Sequence, residues 1–198
     1  FADHHTHQEV SRFLNVSNRK NSVCVELACG YGWFSRLLCE KFPYVTFLGY
    51  DIDKEAIRFA NKTEKFPNRK LTVANAEHIP LADGSVDWLV VYNAFEHFEH
   101  PEEVSKEIYR VLKSGGRAFL SIPNKYGFGH LDSCNLGKVW EYSYWQIAAM
   151  ANRIGFTYQI IPPDINGSVV KKFVVGLFRY FGLWKIFKAQ SFRVVFIK

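Results

Sequence analysis

The sequence has no long hydrophobic run, because no stretch of about 18 uncharged apolar residues occurs among its 198 residues. Its first residues do not resemble a signal peptide, and it contains no internal repeat or low-complexity tract. These absences argue against a transmembrane helix, a secretory leader and a repeat architecture. We therefore expect a cytoplasmic protein.

Cysteine is also scarce, with four residues at positions 24, 29, 39 and 134. None of them forms a Cys-x-x-Cys pair, and their spacing fits no zinc site. We expect reduced structural thiols rather than a disulfide framework or a metal centre.

The chain does have enough apolar residues for a sizeable core. Hydrophobic residues make up 48% of it and charged residues 22%, a balance that argues against wholesale disorder. Its length fits a single domain, residues 1–198. The net charge of +6 permits an anionic partner without requiring one.

Predicted strands and helices alternate along the chain. The strands are predicted near residues 22–27, 45–51, 70–75, 86–92, 117–122, 156–161 and 191–197, and the helices near 33–42, 54–62, 102–112, 143–153 and 169–188. This alternation predicts an α/β fold with a Rossmann-like, doubly wound, seven-stranded, mostly parallel sheet and helices on both faces. Within it, Asp53 is expected to cap the second helix, Pro101 to begin the third, and Ser114-Gly115-Gly116 to end the third.

The segment Val25-Glu26-Leu27-Ala28-Cys29-Gly30-Tyr31-Gly32 is an apolar run that ends in an acid and a Gly-x-Gly turn. It predicts a buried strand followed by a glycine loop and a helix, where a ligand can approach the backbone closely. Glu26 would attract a positive group and repel a phosphate. The segment therefore favours a cationic nucleoside cofactor over a dinucleotide.

Asp51 ends the second predicted strand, 21 residues after Gly30, where a carboxylate can accept hydrogen bonds from ribose hydroxyls. NAD-binding folds use the same placement, and an acid at a helix start is the plainer alternative. Glu26 and the occurrence of Ser35, where the dinucleotide fingerprint has a third small residue, argue against NAD.

Five motifs occur in order over residues 22–124, and together they resemble class I S-adenosylmethionine-dependent methyltransferases. The similarity is to the small-molecule branch that includes the ubiquinone and menaquinone biosynthesis methyltransferases (methyltransferase type 11). The motifs are Glu26–Gly32, Gly49-Tyr50-Asp51-Ile52, Asn75-Ala76-Glu77, Phe95-Glu96-His97 and Leu112-Lys113-Ser114-Gly115-Gly116.

The resemblance implies S-adenosylmethionine as cofactor, S-adenosylhomocysteine as product and residues 22–124 as the cofactor-binding core. In this family Glu26 and the glycine loop would hold the methionine part, Asp51 the ribose, and Asn75 the adenine edge. The residues implied to bind the cofactor are Glu26, Ala28, Gly30, Tyr31, Gly32, Asp51, Ile52, Asn75, Ala76, Glu77 and Asn93. The chain departs from the family pattern at Ala28, Asn75 and Ser114, which replace the usual glycine, aspartate and proline.

His97 is the candidate catalytic base, because it follows the strand that would face the cofactor and because histidine is the usual general base near neutral pH. A hydrogen-bonded histidine at a helix start is an equal alternative, and His130 is the second choice. Related quinone-pathway enzymes use a Glu-x-x-Glu-His metal cluster, but Asn93 stands here in place of the first carboxylate. We therefore expect no metal there or at His4, His5 and His7.

Residues 125–190 are predicted to form acceptor-side cap elements inserted before the last strand. One part of them is rich in aromatic side chains, which would line an acceptor pocket or pack a lid: Tyr126, Phe128, Trp140, Tyr142, Tyr144 and Trp145. The basic aromatic segment 169–188 is expected to cap the pocket, with peripheral membrane contact as the alternative. A homodimer also stays open.

The leading hypothesis is methyl transfer to an O- or N-nucleophile of an aromatic or lipid-like small molecule. A nucleic-acid methyltransferase would need an Asn/Asp-Pro-Pro-aromatic motif or a Pro-Cys nucleophile, and neither is present, so we expect no nucleic acid partner. The alternative is a catalytically silent methyltransferase-like domain that binds the cofactor or a protein partner. The sequence leaves the acceptor, the methylated atom and the oligomeric state open.

Overall fold

The computed structural model describes residue 10 and residues 19–123, 140–161 and 191–198. Several predictions lie outside the described residues. They concern the histidine cluster near the start, the stretch 124–139 with His130, and the segment 169–188.

The described residues form one sheet from the strands β1 (Ser22–Leu27), β2 (Val45–Asp51), β3 (Arg69–Val73), β4 (Val86–Tyr92), β5 (Leu112–Pro123), β6 (Thr157–Ile161) and β7 (Ser191–Ile197). Their order is β3-β2-β1-β4-β5-β7-β6. The first five strands are parallel to one another, whereas β7 runs antiparallel to both β5 and β6. The prediction of a seven-stranded, mostly parallel sheet is therefore confirmed.

Four α-helices accompany the sheet in the described part of the chain: α1 (Trp33–Lys41), α2 (Lys54–Thr63), α3 (Pro101–Val111) and α4 (Tyr144–Ile154). A 3₁₀ turn, Phe95–His97, follows β4. Asp53 caps α2 as predicted, since its side chain accepts hydrogen bonds from two backbone N–H groups, and Pro101 begins α3. Within the described ranges, no helix has the length and apolar character needed to cross a membrane.

The predicted end of α3 is wrong. The helix stops at Val111 and β5 begins at the next residue, so Ser114-Gly115-Gly116 lies inside a strand. Gly115 has a φ of 75°, and its N–H donates to the Lys198 carbonyl at 2.8 Å. The Gly116 carbonyl in turn accepts from the Lys198 N–H at 3.2 Å. A left-handed glycine occurs at strand irregularities as well as at helix ends, and Gly115 lies at an irregularity within β5.

Apolar side chains alternate between the two faces of the sheet, so each face has its own core. One face packs Val25 and Leu27 of β1 with side chains of α3 and α4. The opposite face packs Cys24 with Phe34 and Leu38 of α1. Because successive strand residues point to opposite faces, helices cover both sides, as the sequence predicted.

The strand order reverses between β1 and β4, which makes this the switch point of the sheet. From β1 the chain proceeds outward through β2 to β3 and then crosses back to β4. Ligands in open α/β sheets bind outside the carboxyl ends of the strands at this point. A ligand-binding site is therefore expected at the residues that follow β1, β2 and β4.

Asp87 of β4 holds together the opposite end of the same strands. Its buried carboxylate accepts hydrogen bonds from the Val23 N–H at 2.9 Å, from Lys113 Nζ at 2.7 Å and from Arg19 Nη2 at 3.1 Å. It thus joins the start of β1 to β5 and to the chain that precedes β1.

We expect Asp87→Ala to lower the free energy of unfolding by about 2–3 kcal/mol, because the Val23 N–H loses its acceptor and two cations lose their counter-charge. Urea unfolding of the variant measures this change. Asp83→Ala is the matched control, since Asp83 pairs with Arg110 but is 79% exposed, and should change the value by about 0.5 kcal/mol or less. Equal losses of unfolding free energy in the two variants would contradict the stabilising role assigned to Asp87.

Candidate active site

The glycine loop, residues 28–32, joins β1 to α1 through a tight turn. Ala28, Gly30 and Gly32 have φ values of 53°, 49° and 69°, so three of its residues are left-handed. The Cys29 N–H donates to the Tyr50 carbonyl at 3.2 Å, which fastens the loop to the end of β2. Ala28 thus adopts the conformation for which the family pattern has glycine.

The two glycines of the loop lie in different surroundings. A Cβ on Gly32 would lie 2.7 Å from Leu71 Cδ1, whereas a Cβ on Gly30 would have no atom within 4 Å. Glycine is therefore favoured at position 32 by its left-handed backbone and by the Leu71 side chain beneath the loop. The space beside Gly30 is open, so a ligand can come against the backbone there.

Asp51 connects the loop to the end of β2. Its Oδ2 accepts a hydrogen bond from the Gly30 N–H at 2.7 Å, and its Oδ1 accepts one from the Asp53 N–H at 2.8 Å. Each carboxylate oxygen can accept more than one hydrogen bond. Asp51 therefore orders the loop and retains acceptor capacity for hydroxyl donors of a ligand.

Glu26 belongs to β1, and its carboxylate reaches the start of α1, where Gly32 supplies no side-chain cap. Its carboxylate is buried and its Oε2 accepts from the Ser35 N–H at 3.2 Å. Burial raises the pKa of Glu26 to about 7, and nearby Asp51 also raises it, while hydrogen bonds from Ser35 and the charge of Arg69 lower it. Dinucleotide folds bind a pyrophosphate at this helix end, so a carboxylate there disfavours such a ligand.

The predicted adenine residues lie beyond β2 and β3. Ile52 is 72% exposed and presents an apolar surface beside Asp51. Asn75 is exposed, and its Oδ1 accepts from the Glu77 N–H at 2.9 Å. The Ala76 side chain, in contrast, is buried in the core, which leaves only its backbone to face a ligand.

Tyr31, the middle residue of the Gly-x-Gly turn, points its ring toward α2. The ring meets that of Phe59 edge to face, with 5.5 Å between the centroids, and half of the tyrosine is exposed. This contact ties the loop to α2.

Asn93 follows β4 and also has a left-handed backbone, with a φ of 48°. Its N–H donates to the Ser121 carbonyl at 3.1 Å, and its Oδ1 accepts from Ser121 Oγ at 2.8 Å. β5 thereby holds Asn93 at the switch point, next to the end of β1.

His97 lies in the 3₁₀ turn that follows Asn93. Its side chain is 41% exposed, and its Nε2 is 3.8 Å from Oε1 of the buried Glu96. Tyr142 packs on Phe95 in the same cluster, and both burial and Glu96 raise the pKa of the tyrosine hydroxyl. The turn thus presents an imidazole beside a buried carboxylate, which is suited to accepting a proton.

Two residues that support the site were missed by sequence reasoning. Ser121 orients Asn93, and Arg69 donates from Nη1 to the Gly32 carbonyl at 3.0 Å. For Ser121 the available signal was a polar residue within an otherwise apolar stretch of β5, whereas Arg69 begins a strand with further polar residues and gave no such signal. Such a residue can equally face solvent, so the pattern alone does not identify its partner.

Sequence comparison with known proteins finds proteins that are named as methyltransferases. Residues 25–120 match a family described as "Methyltransferase domain". A malonyl-[acyl-carrier protein] O-methyltransferase of Methylococcus capsulatus is 33% identical over 132 residues, which is 65% of this chain and 46% of that protein. A demethylmenaquinone methyltransferase of Thermotoga maritima is 33% identical over 108 residues, 54% of this chain and 45% of that protein. The chain thus spans about half the length of the curated relatives it matches.

Solved structures share the fold at low sequence identity. A SAM-dependent methyltransferase from Aquifex aeolicus superposes with a TM-score of 0.67 at 16% identity, over 96% of this chain and 88% of that one. The [4+2]-cyclase SpnF superposes with a TM-score of 0.71 at 14% identity, over 98% and 78%. Because one of these two proteins is named as a cyclase, the fold alone does not establish the reaction.

Proposed function

Residues 25–120 belong to a methyltransferase domain family, and from this premise we propose that the protein transfers a methyl group from S-adenosylmethionine to a small-molecule acceptor. The observation that carries the proposal is the linkage between the glycine loop and Asp51, whose carboxylate accepts from the Gly30 N–H at 2.7 Å. This linkage supports a nucleoside site in which a ribose lies beside an open glycine backbone.

The residues present fit that cofactor. Asp51 retains acceptor capacity for two ribose hydroxyls, and the exposed Ile52 offers an apolar surface to an adenine ring. The buried carboxylate of Glu26 suits a ligand that carries an ammonium group and no phosphate. We therefore assign the methionine side to Glu26 and the glycine loop, and the adenine side to Ile52 and Asn75.

The bound cofactor supplies an electrophilic methyl group on a sulfonium, and the chain's own task is to align the acceptor and remove its proton. Alignment alone contributes on the order of 7–11 kcal/mol in well-oriented reactions. His97 is the proposed base, because its half-exposed imidazole lies beyond the carboxyl end of β4.

For the acceptor we propose an O- or N-nucleophile on an aromatic or lipid-like compound. The two relatives described above are named for a malonyl-carrier O-methylation and for a menaquinone precursor, so both act on acceptors other than nucleic acid. The aromatic side chains of Tyr142, Tyr144 and Trp145 near α4 suit an apolar acceptor. Residues 125–190 are proposed to form the acceptor-side cap over the core 22–124.

Asp51→Ala is expected to weaken binding of S-adenosylhomocysteine by about 1–3 kcal/mol, because the ribose hydroxyls lose their acceptor. Titration calorimetry with the wild type and the variant measures this loss. Asp51→Asn keeps one acceptor oxygen and should lose less. An unchanged affinity in Asp51→Ala would mean that the ribose is held elsewhere.

Two experiments test the function itself. Calorimetry should give heat with S-adenosylmethionine or S-adenosylhomocysteine and none with NAD, and the reverse result would overturn the proposal. A screen of phenols, amines, carboxylates and carrier-bound acyl groups with methyl-labelled cofactor should then label one class, which mass spectrometry identifies. Tight binding without labelling of any class would favour a silent cofactor-binding domain.

A further inference from the structure

Arg69, the first residue of the edge strand β3, has a buried cationic side chain. Only 2% of the side chain is exposed. Its Nη1 donates to the Gly32 carbonyl at 3.0 Å, and its Nη2 donates to the Glu64 carbonyl at 3.2 Å. The guanidinium also lies over the Phe66 ring, 4.7 Å from its centroid. A guanidinium with these three contacts is fixed in one orientation.

The Gly32 carbonyl, which accepts from this guanidinium, belongs to the N-cap residue directly before α1. The same oxygen accepts from the Arg36 N–H at 3.1 Å and from Ser35 Oγ at 3.2 Å. Gly32 also carries the largest positive φ of the loop, 69°. Three donors on one carbonyl therefore hold the left-handed residue at which the loop turns into the helix.

A cation at the start of a helix is unfavourable with respect to the helix dipole, so this arrangement needs compensation. Glu64 provides part of it, because its Oε2 lies 3.8 Å from Arg69 Nη2. Glu26 provides the rest, because its carboxylate accepts from the Ser35 N–H in the same turn. Arg69 and Glu26 thus hold the first turn of α1 with opposite charges, Arg69 at a carbonyl and Glu26 at an amide. Each lowers the cost of burying the other, and the charge of Arg69 counters the rise of the Glu26 pKa.

We propose that Arg69 is a positioning residue for the cofactor, which holds the glycine loop in its left-handed conformation through the Gly32 carbonyl. This inference rests on the proposed function for the identity of the ligand, but the effect on the loop does not. Lysine would not replace Arg69, because an ammonium is a single point donor and cannot reach the Gly32 and Glu64 carbonyls in a fixed fork.

The first test needs no cofactor. Hydrogen–deuterium exchange of the amides of residues 28–36 should be faster in Arg69→Met than in the wild type. Arg36→Met is the matched control, because the Arg36 side chain pairs with Glu64 and only its backbone contacts Gly32. Loop exchange at the wild-type rate in Arg69→Met, or equal acceleration in the control, would overturn the proposal.

The second test measures affinity for S-adenosylhomocysteine by calorimetry. Arg69→Met should bind about tenfold more weakly, as expected for one lost hydrogen bond to a charged group, Arg69→Lys should lie between, and Arg36→Met should match the wild type. If Arg69→Met does not fold, Arg69→Lys takes its place, and wild-type exchange and affinity in that variant would overturn the proposal. A wild type that binds no S-adenosylhomocysteine would contradict the proposed function, while the exchange experiment would still decide the role of Arg69.

The third readout is the pH profile of that affinity, which a purely structural role would not move. The groups that face Glu26 are Ser35 from α1, Arg69 from β3, Asp51 from β2 and the buried thiols of Cys24, Cys29 and Cys39. Removal of the arginine charge should move the pH midpoint of binding upward, and Arg36→Met should leave it in place. An unmoved midpoint in Arg69→Met would contradict the charge coupling.

Discussion

Glu26→Gln is expected to abolish a pH-dependent loss of about 3 kcal/mol in the free energy of unfolding. The loss arises because burial moves the Glu26 pKa from 4.5 to about 7, and one pKa unit corresponds to about 1.4 kcal/mol. A group with a raised pKa in the folded state favours folding while it is protonated. Its contribution is complete below pH 4.5 and is lost as the pH rises through about 7.

The measurement is the free energy of unfolding from urea titrations at several pH values. The wild type should lose stability relative to Glu26→Gln between these two pKa values, and the difference should level off above the higher one. Glu40→Gln is the control, since Glu40 is an exposed carboxylate at the other end of α1. A difference between wild type and Glu26→Gln that does not change with pH would contradict a buried, raised carboxyl.

His97→Ala is expected to lower the rate of methyl transfer by about 10²–10⁴-fold, the usual contribution of a general base, while binding of S-adenosylhomocysteine stays at the wild-type level. The reason is the position of His97 shortly after β4 and Asn93, with Glu96 beside it to stabilise the protonated imidazole. Transfer assays with labelled cofactor and calorimetry separate the two effects.

His100→Ala is the matched control, because His100 is exposed and stands three residues later, at the start of α3. It should leave transfer unchanged. Retained transfer in His97→Ala would remove it as the base, and a joint loss of transfer and cofactor affinity would indicate that it orders the turn instead.

The elements of the fold were predictable because their signals are local. The apolar run before Gly30, the cap at Asp53 and the proline at position 101 each act within a few residues. The end of α3 was predicted wrongly for the same reason, since a left-handed glycine looks alike at a helix end and in a strand. Only its contact with Lys198, far along the chain, decides between the two.

The site was predictable at its glycine loop but not beneath it. The sequence motif indicates Gly32 and Asp51, whereas the hydrogen bond from Arg69 to Gly32 joins residues 37 positions apart. Glu26 was expected to meet the ligand, and the structure shows that it also caps α1. Such pairings follow from the sheet order, which no local pattern encodes.

The position of β7 between β5 and β6 has a consequence for synthesis on the ribosome. Translation delivers β6 well before residues 191–197, yet among the strands that the structure describes β6 pairs only with β7. During that interval the outer edge of β5 has no strand to pair with, and an open strand edge recruits other chains. The growing chain thus depends on residues 191–197 to close the sheet, and chaperone protection is most useful to it before these residues have emerged.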